Sequence, residues 1–117
     1  MAIIKLYGIP NCDTVKKTST WLAANKVEVV FHNYKIEGID KKKLTAWCKK
    51  VGWQIILNKK STTWKSLALN VQQSTTNQAA AIQLMIEHTS LIKRPIIAVN
   101  DTLIVGFNEQ ILSKQFT

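Results

Sequence analysis

The sequence predicts an α/β protein with a mixed sheet of about four strands, in the order β-α-β, helical segment, β-β-α. Three observations carry this. The apolar run Ile3, Ile4 and Leu6 stops at Tyr7-Gly8, directly before a helix signal. A β-branched and aromatic run from Val27 to Phe31 follows that helix. Near the end, Pro95-Ile-Ile-Ala-Val, Asn100-Asp101-Thr102 and Leu103-Ile-Val spell strand, tight turn and partner strand, closing at Gly106.

The elements follow in order. A first strand is expected over residues 2–7. Pro10 and Asn11 hold the chain out of helix, and Asp13 or Thr14 offers an oxygen to cap a helix running to Asn25. Its inward stripe is Val15, Thr18, Trp21 and Leu22, with Lys16 and Lys17 facing water. The strand at Val27–Phe31 then completes a β-α-β unit, so the two strands should be parallel. Asp40 caps a second helix, in which Leu44, Trp47, Cys48 and Val51 form an apolar stripe ending before Gly52. Trp53 to Leu67 is irregular, with a loop at Lys59-Lys60 and Ser61-Thr62-Thr63 capping a short turn that carries Trp64 and Leu67. Thr75 or Thr76 opens a third helix through His88, with Ala79, Ile82, Met85 and Ile86 inward. The tail from Asn108 to Phe116 places Ile111, Leu112 and Phe116 at helical spacing, to cover the sheet.

A chain of 117 residues, 46% of them hydrophobic, fits one domain, residues 1–117, with a helical insertion over about 38–90. No internal repeat or Pro/Gly-rich linker interrupts it. The first apolar run is broken by Lys5, which argues against a targeting segment, and no stretch approaches the roughly 20 apolar residues needed to cross a bilayer. Two cysteines, Cys12 and Cys48, are too few for a disulfide-stapled secreted domain, so the expectation is free thiols and a cytoplasmic setting. Neither lies in C-x-x-C, and His32 and His88 have no second ligand at i+4, so no metal site is expected.

The net charge of +9 favours anionic partners. Of the sixteen basic residues only Arg94 is arginine, the residue that best grips an anion bidentately, which singles it out. It precedes Pro95 at a strand start, and an X-Pro bond there has access to the cis form.

Cys12 carries the chemistry. Between a strand end and a first helical turn, free amides and the helix dipole favour its thiolate, in an environment that lowers cysteine pKa values from about 8.5 into a range of roughly 3.5 to 7.5. The plain alternative, a small buried hydrophobe, suits Cys48 better, since it falls on an inward stripe between Trp47 and Val51.

Three segments in register carry a resemblance over nearly the whole chain: Tyr7-Gly-Ile-Pro-Asn-Cys12-Asp-Thr-Val-Lys-Lys, Leu57-Asn-Lys-Lys-Ser-Thr-Thr-Trp64 and Leu91-Ile-Lys-Arg-Pro-Ile-Ile. Together with Trp21-Leu22 they resemble the arsenate reductase family of the ArsC/Spx/YffB type, and most of all its YffB-like branch. The resemblance implies a thioredoxin-like fold with a helical insertion, Cys12 as nucleophile, Arg94 as the anion-holding arginine and a cis Pro95. With the flanking Asn11 and Thr14 and with Lys60, Arg94 and Pro95 are the candidate residues for binding substrate or glutathione.

Departures from the family pattern narrow the activity. Arsenate reductases of this type surround the oxyanion with three arginines, whereas this chain has Asn58-Lys59-Lys60 and Val105-Gly106-Phe107 where the others are expected. Lysine lacks the bidentate fork, which argues against efficient arsenate reduction. What the resemblance then implies is a monothiol oxidoreductase acting on a disulfide or small oxyanion. No cofactor is bound in this reading. Val15 stands where C-x-x-C would have its second cysteine, so an external thiol must resolve the adduct: glutathione as co-substrate, another small thiol, or a glutaredoxin-like partner. The alternative is a non-catalytic, Spx-like regulatory or protein-interaction module using Lys41-Lys42-Lys43, Lys49-Lys50 and Lys59-Lys60. Those lysines lie opposite an apolar stripe, as a solvated face does, which argues against nucleic acid, and the missing C-x-x-C argues against a disulfide-switched regulator.

Overall fold

A computed structural model describes residues 3–116. The chain divides into two compact units, Met1–Glu37 with Arg94–Thr117, and Gly38–Lys93.

The first unit holds a four-stranded sheet made of β1 (Ile4–Gly8), β2 (Val30–Asn33), β3 (Ile96–Val99) and β4 (Thr102–Val105), in the order β2-β1-β3-β4. β1 and β2 run parallel, joined through α1 (Asp13–Ala24), while β3 is antiparallel to both β1 and β4. This is the thioredoxin-like arrangement that the element order predicts. Leu6 pairs with Ile97 and Ile97 with Ile104, so three apolar side chains stand in one row on one face of the sheet. Leu22 of α1 and Leu112 of the C-terminal helix (Glu109–Phe116) complete that core, with Trp21, Val27, Val29 and Phe116 at its margin. The opposite face carries Tyr7, paired with His32 on one side and Ile96 on the other.

Several local expectations shift. No oxygen of Asp13 or Thr14 caps α1; its N-cap is Cys12 itself. The second strand begins at Val30, not Val27, because after α1 the chain turns through Lys26 at φ 59° and only from Val30 onward does it lie beside β1. Val27 and Val29 keep their burial as core margin without joining the ladder. Ile111, expected inward, is 49% exposed, and Leu112 takes the buried position. The expected first-strand start at residue 2 lies outside the described residues.

The second unit is helical. We number its helices with the short turn Tyr34–Glu37 of the first unit as α2: α3 (Lys41–Val51), α4 (Trp53–Ile56), α5 (Thr62–Ser66), α6 (Leu69–Ser74) and α7 (Gln78–Glu87), with a 3₁₀ turn at Thr89–Leu91. Asp40 and Ser61 act as the expected caps, accepting from the amides of Lys43 at 2.7 Å and Trp64 at 3.2 Å. The expected long helix from Thr75 or Thr76 to His88 is instead α6 and α7, because the Thr75 hydroxyl donates back to the Val71 carbonyl at 2.8 Å and closes α6. Asn77 then caps α7 through the Ala80 amide at 2.9 Å. The register moves with the cap: Ala81, Ile82, Leu84 and Met85 are buried, while Ala79 is exposed and Ile86 half-buried. An antiparallel bridge between Leu57 and Ile92, flanked by Asn58 N donating to Leu91 O at 2.7 Å and Lys93 N to Ile56 O at 2.9 Å, ties the segment after α4 to the C-terminal end of this unit.

Candidate active site

The site is built where β1 hands over to α1. Gly8 ends β1, and a Cβ on it would sit 2.7 Å from Val15 Cγ2, so only glycine lets the strand end lie this close to the first turn of the helix. Residues 9–12 then turn the chain, and Cys12 enters the N-cap position with extended backbone, φ −114° and ψ 123°. Its carbonyl accepts the first helical bond, from Lys16 at 2.9 Å.

In that position the Cys12 sulfur faces the amides of the second and third helical residues, Thr14 and Val15, which have no partner within the helix. As a neutral thiol it makes no hydrogen bond of cap geometry, but as an anion it draws on both dipoles. Burial pushes the half-buried thiol up; the Val15 and Thr14 amides, then the charge of Arg94 and a hydrogen bond from its guanidinium, outweigh it, and the net pKa lies below the usual cysteine value.

Arg94 reaches Cys12 because Tyr7 pairs with Ile96, which brings the start of β3 beside the end of β1. The Arg94-Pro95 peptide is cis, Pro95 is buried, and its carbonyl accepts from the Gly106 amide at 2.8 Å, fixing this corner to the end of β4. Cys12, Thr14, Arg94 and Pro95 therefore gather at one end of the sheet. Asn11 lies exposed in the turn before Cys12. Lys60 belongs to the helical unit, exposed, with its amide donating to Asn58 Oδ1 at 3.1 Å. In that unit Lys59 is held between two indoles, its Nζ 5.4 Å from the Trp64 ring centroid and 5.9 Å from that of Trp53. Cys48, also there, is buried, and burial alone pushes its thiol up.

Sequence reasoning did not assign an aromatic group beside the site. Tyr7 stacks on Tyr34 at 6.2 Å and 21°, and His32 packs at 4.9 Å from Tyr7 and edge-on to Tyr34 at 6.1 Å. The pairing of Tyr7 with His32 was implicit in a parallel β1-β2 register, but a tyrosine one residue past a strand end carries no sequence signal of its own.

Comparison with known proteins agrees with this geometry. A family model described as the ArsC family matches residues 7–114. A Haemophilus influenzae protein described as uncharacterized is 42% identical, covering 92% of this chain and 94% of its own. The regulatory protein MgsR of Bacillus subtilis is 31% identical over 90% of this chain and 83% of its own. Among solved structures, a YffB protein superposes with a TM-score of 0.94 at 39% identity, covering 97% of this chain and 99% of that one. With the family model spanning both the Cys12 turn and the Arg94 corner, and with relatives of nearly the same length, the chain belongs to the ArsC family.

Proposed function

We propose that the protein is a monothiol oxidoreductase that reduces disulfides of small thiols or protein substrates with glutathione as electron donor. The observation that carries this is the Cys12 sulfur set against the Val15 and Thr14 amides with Arg94 alongside, an arrangement that favours the thiolate more than an ordinary cysteine environment does. The thiolate attacks one sulfur of a substrate disulfide, forms a Cys12 mixed disulfide and expels the other half as a thiolate stabilised by the Arg94 charge. Glutathione thiolate then attacks the substrate sulfur of the mixed disulfide, releasing the substrate as its glutathione disulfide and returning Cys12 as the anion. With Val15 in place of a second cysteine the second step takes an external thiol, and free thiols of this kind suit a reducing cytoplasm. No helix among the described residues is long and apolar enough to cross a membrane.

The test is mass spectrometry after incubation with oxidised glutathione. The expected result is a single glutathione adduct on Cys12, none on Cys48, and removal of the adduct by reduced glutathione. A chain that stays unmodified sinks this reading.

Similarity to a regulatory protein such as MgsR favours a second reading, a partner-binding module. It predicts that Cys12→Ser leaves partner binding intact, whereas the reductase reading predicts loss of all turnover.

A further inference from the structure

Among the described residues β2 is an edge strand, with β1 on one side and no strand on the other. An edge presents unpaired N–H and C=O groups to any second chain, and proteins commonly blunt it with lysine, proline or a bulge. The segment Val29-Val30-Phe31-His32-Asn33 carries no lysine or proline. With the whole chain present, Val30 and Phe31 are 57% and 39% exposed.

The hydrogen bonds define how much of this edge is open. Asn33 N donates to Glu37 Oε2 at 3.0 Å, not to β1, so Asn33 directs its backbone out of the sheet. Alternate residues of a strand direct their backbone groups to the same side, so Phe31 and Val29 point outward as well. Among the described residues neither the N–H nor the C=O of Val29 has a backbone partner. Both ends of the stretch are closed: the Asn33 amide is committed to Glu37, and the Val27 amide donates to Leu22 O at 2.9 Å.

What remains open is Val29 and Phe31 on either side of Val30, a stretch that is complementary to itself. In an antiparallel pair, Val29 of one copy faces Phe31 of the other and each such pair exchanges both of its N–H···O bonds. The two-fold axis then passes between the two copies of Val30, which meet as a close, non-hydrogen-bonded pair. Centring the pairing on Val29 would call on the Val27 amide, and centring it on Phe31 would call on that of Asn33, both already committed. With the axis at Val30, Glu28 stands opposite His32, so no like charges meet. The side chains match too. Phe31, paired with Leu6, lies on the core face of the sheet, and so comes beside Val29 of the other copy. There a groove of about 660 Å³ opens, lined by Ile3, Ile4, Val27, Val29 and Phe116.

We propose that the β2 edge is an interface between two copies of this chain, paired antiparallel about a two-fold axis at Val30. The inference stands independently of the reductase reading. Because β1 runs parallel to β2 and Cys12 follows the end of β1, the axis sends the two Cys12 corners to opposite ends of the joined sheet and leaves both open.

The experiment is sedimentation equilibrium of the reduced protein. So short an interface is expected to be weak, so the average mass of the wild type should climb from one chain toward two between about 5 µM and about 1 mM. Val30→Lys and Val30→Glu each set like charges against each other at the axis, and each is expected to weaken association about tenfold or more. An equimolar mixture of the two variants brings lysine against glutamate and is expected to associate at least as well as the wild type. A wild type that keeps the mass of one chain up to about 1 mM overturns the inference, and so does a mixture no more associated than the separate variants. Single variants that associate as the wild type does overturn it as well, since residue 30 would then lie off the axis. Val30 is exposed, so both variants should fold, and thermal melting checks this. The pH midpoint of Cys12 alkylation by iodoacetamide is expected to stay unmoved in both. Failure of the reductase reading shows separately, as no glutathione adduct on a wild type that still dimerises.

Discussion

Cys12 and Cys48 both belong to helices, Cys12 standing just before the first turn of α1 and Cys48 within the last turn of α3. Burial pushes both thiols up. At the head of α1 two amides without helical partners and one guanidinium reverse that push. Near the end of α3 the amides are committed to the helix, as where Gly52 N donates to the Cys48 carbonyl at 2.8 Å, and nothing compensates burial. What separates a nucleophile from a core side chain here is which backbone groups are left over at the helix head, together with the shallower burial of Cys12.

The largest effect expected from this comparison comes from exchanging each thiol for a poor nucleophile. Cys12→Ser is expected to lower the rate of disulfide reduction by on the order of a thousandfold or more, because the covalent step is lost. Cys48→Ala is expected to leave that rate within about twofold and to cost about 1 kcal/mol of stability for the small cavity it opens. Turnover with reduced glutathione and urea denaturation measure the two quantities. A Cys48 variant that loses turnover would break the division of roles.

A smaller effect probes the strand-to-helix junction alone. Gly8→Ala forces a Cβ to within 2.7 Å of Val15 Cγ2, so β1 and α1 must separate. The expected cost is about 1–3 kcal/mol of stability, as for overpacking elsewhere. Because Val15 supplies one of the amides facing the sulfur, the Cys12 alkylation midpoint should rise as well. Loss of stability with an unmoved midpoint would show that the amide contribution tolerates the displacement.

This junction was legible in the sequence because its signals are local. An apolar run ending at Gly8, a Pro10-Asn11 turn and a following amphipathic stripe fix where the helix head must be, and Cys12 falls there. Asp40 and Ser61 were readable as caps for the same reason. Thr75 or Thr76 was the expected start of the next helix, and the cap falls on Asn77 instead because Thr75 bonds backward to Val71 and closes α6. The start of β2 was not legible: Val27 to Phe31 has strand propensity throughout, but pairing depends on where β1 lies, a distant fact. The burial of the Tyr34 hydroxyl was illegible for the same reason, since it depends on what packs around that ring in the fold.

The subtlest contrast between the cysteines is in how each links stability to pH. The Cys12 pKa is lower in the folded chain than in the unfolded one, so its contribution is complete above the unfolded value, near 8.5 for a free cysteine, and drains away as pH falls through the folded value. The Cys48 pKa is raised, so its contribution has the opposite sense: it is constant below the unfolded value and declines above it, where only the unfolded chain ionises. The stability of the wild type relative to Cys12→Ser should therefore climb from acid toward the ordinary cysteine range and level off, while its stability relative to Cys48→Ala should stay flat and then fall beyond that range. Urea midpoints of the reduced proteins taken from about pH 6 to about pH 9.5 bracket both regimes. Curves of the same sign for the two variants would mean that the leftover amides of α1 do not hold a charge, and the distinction between the two thiols would rest on access alone.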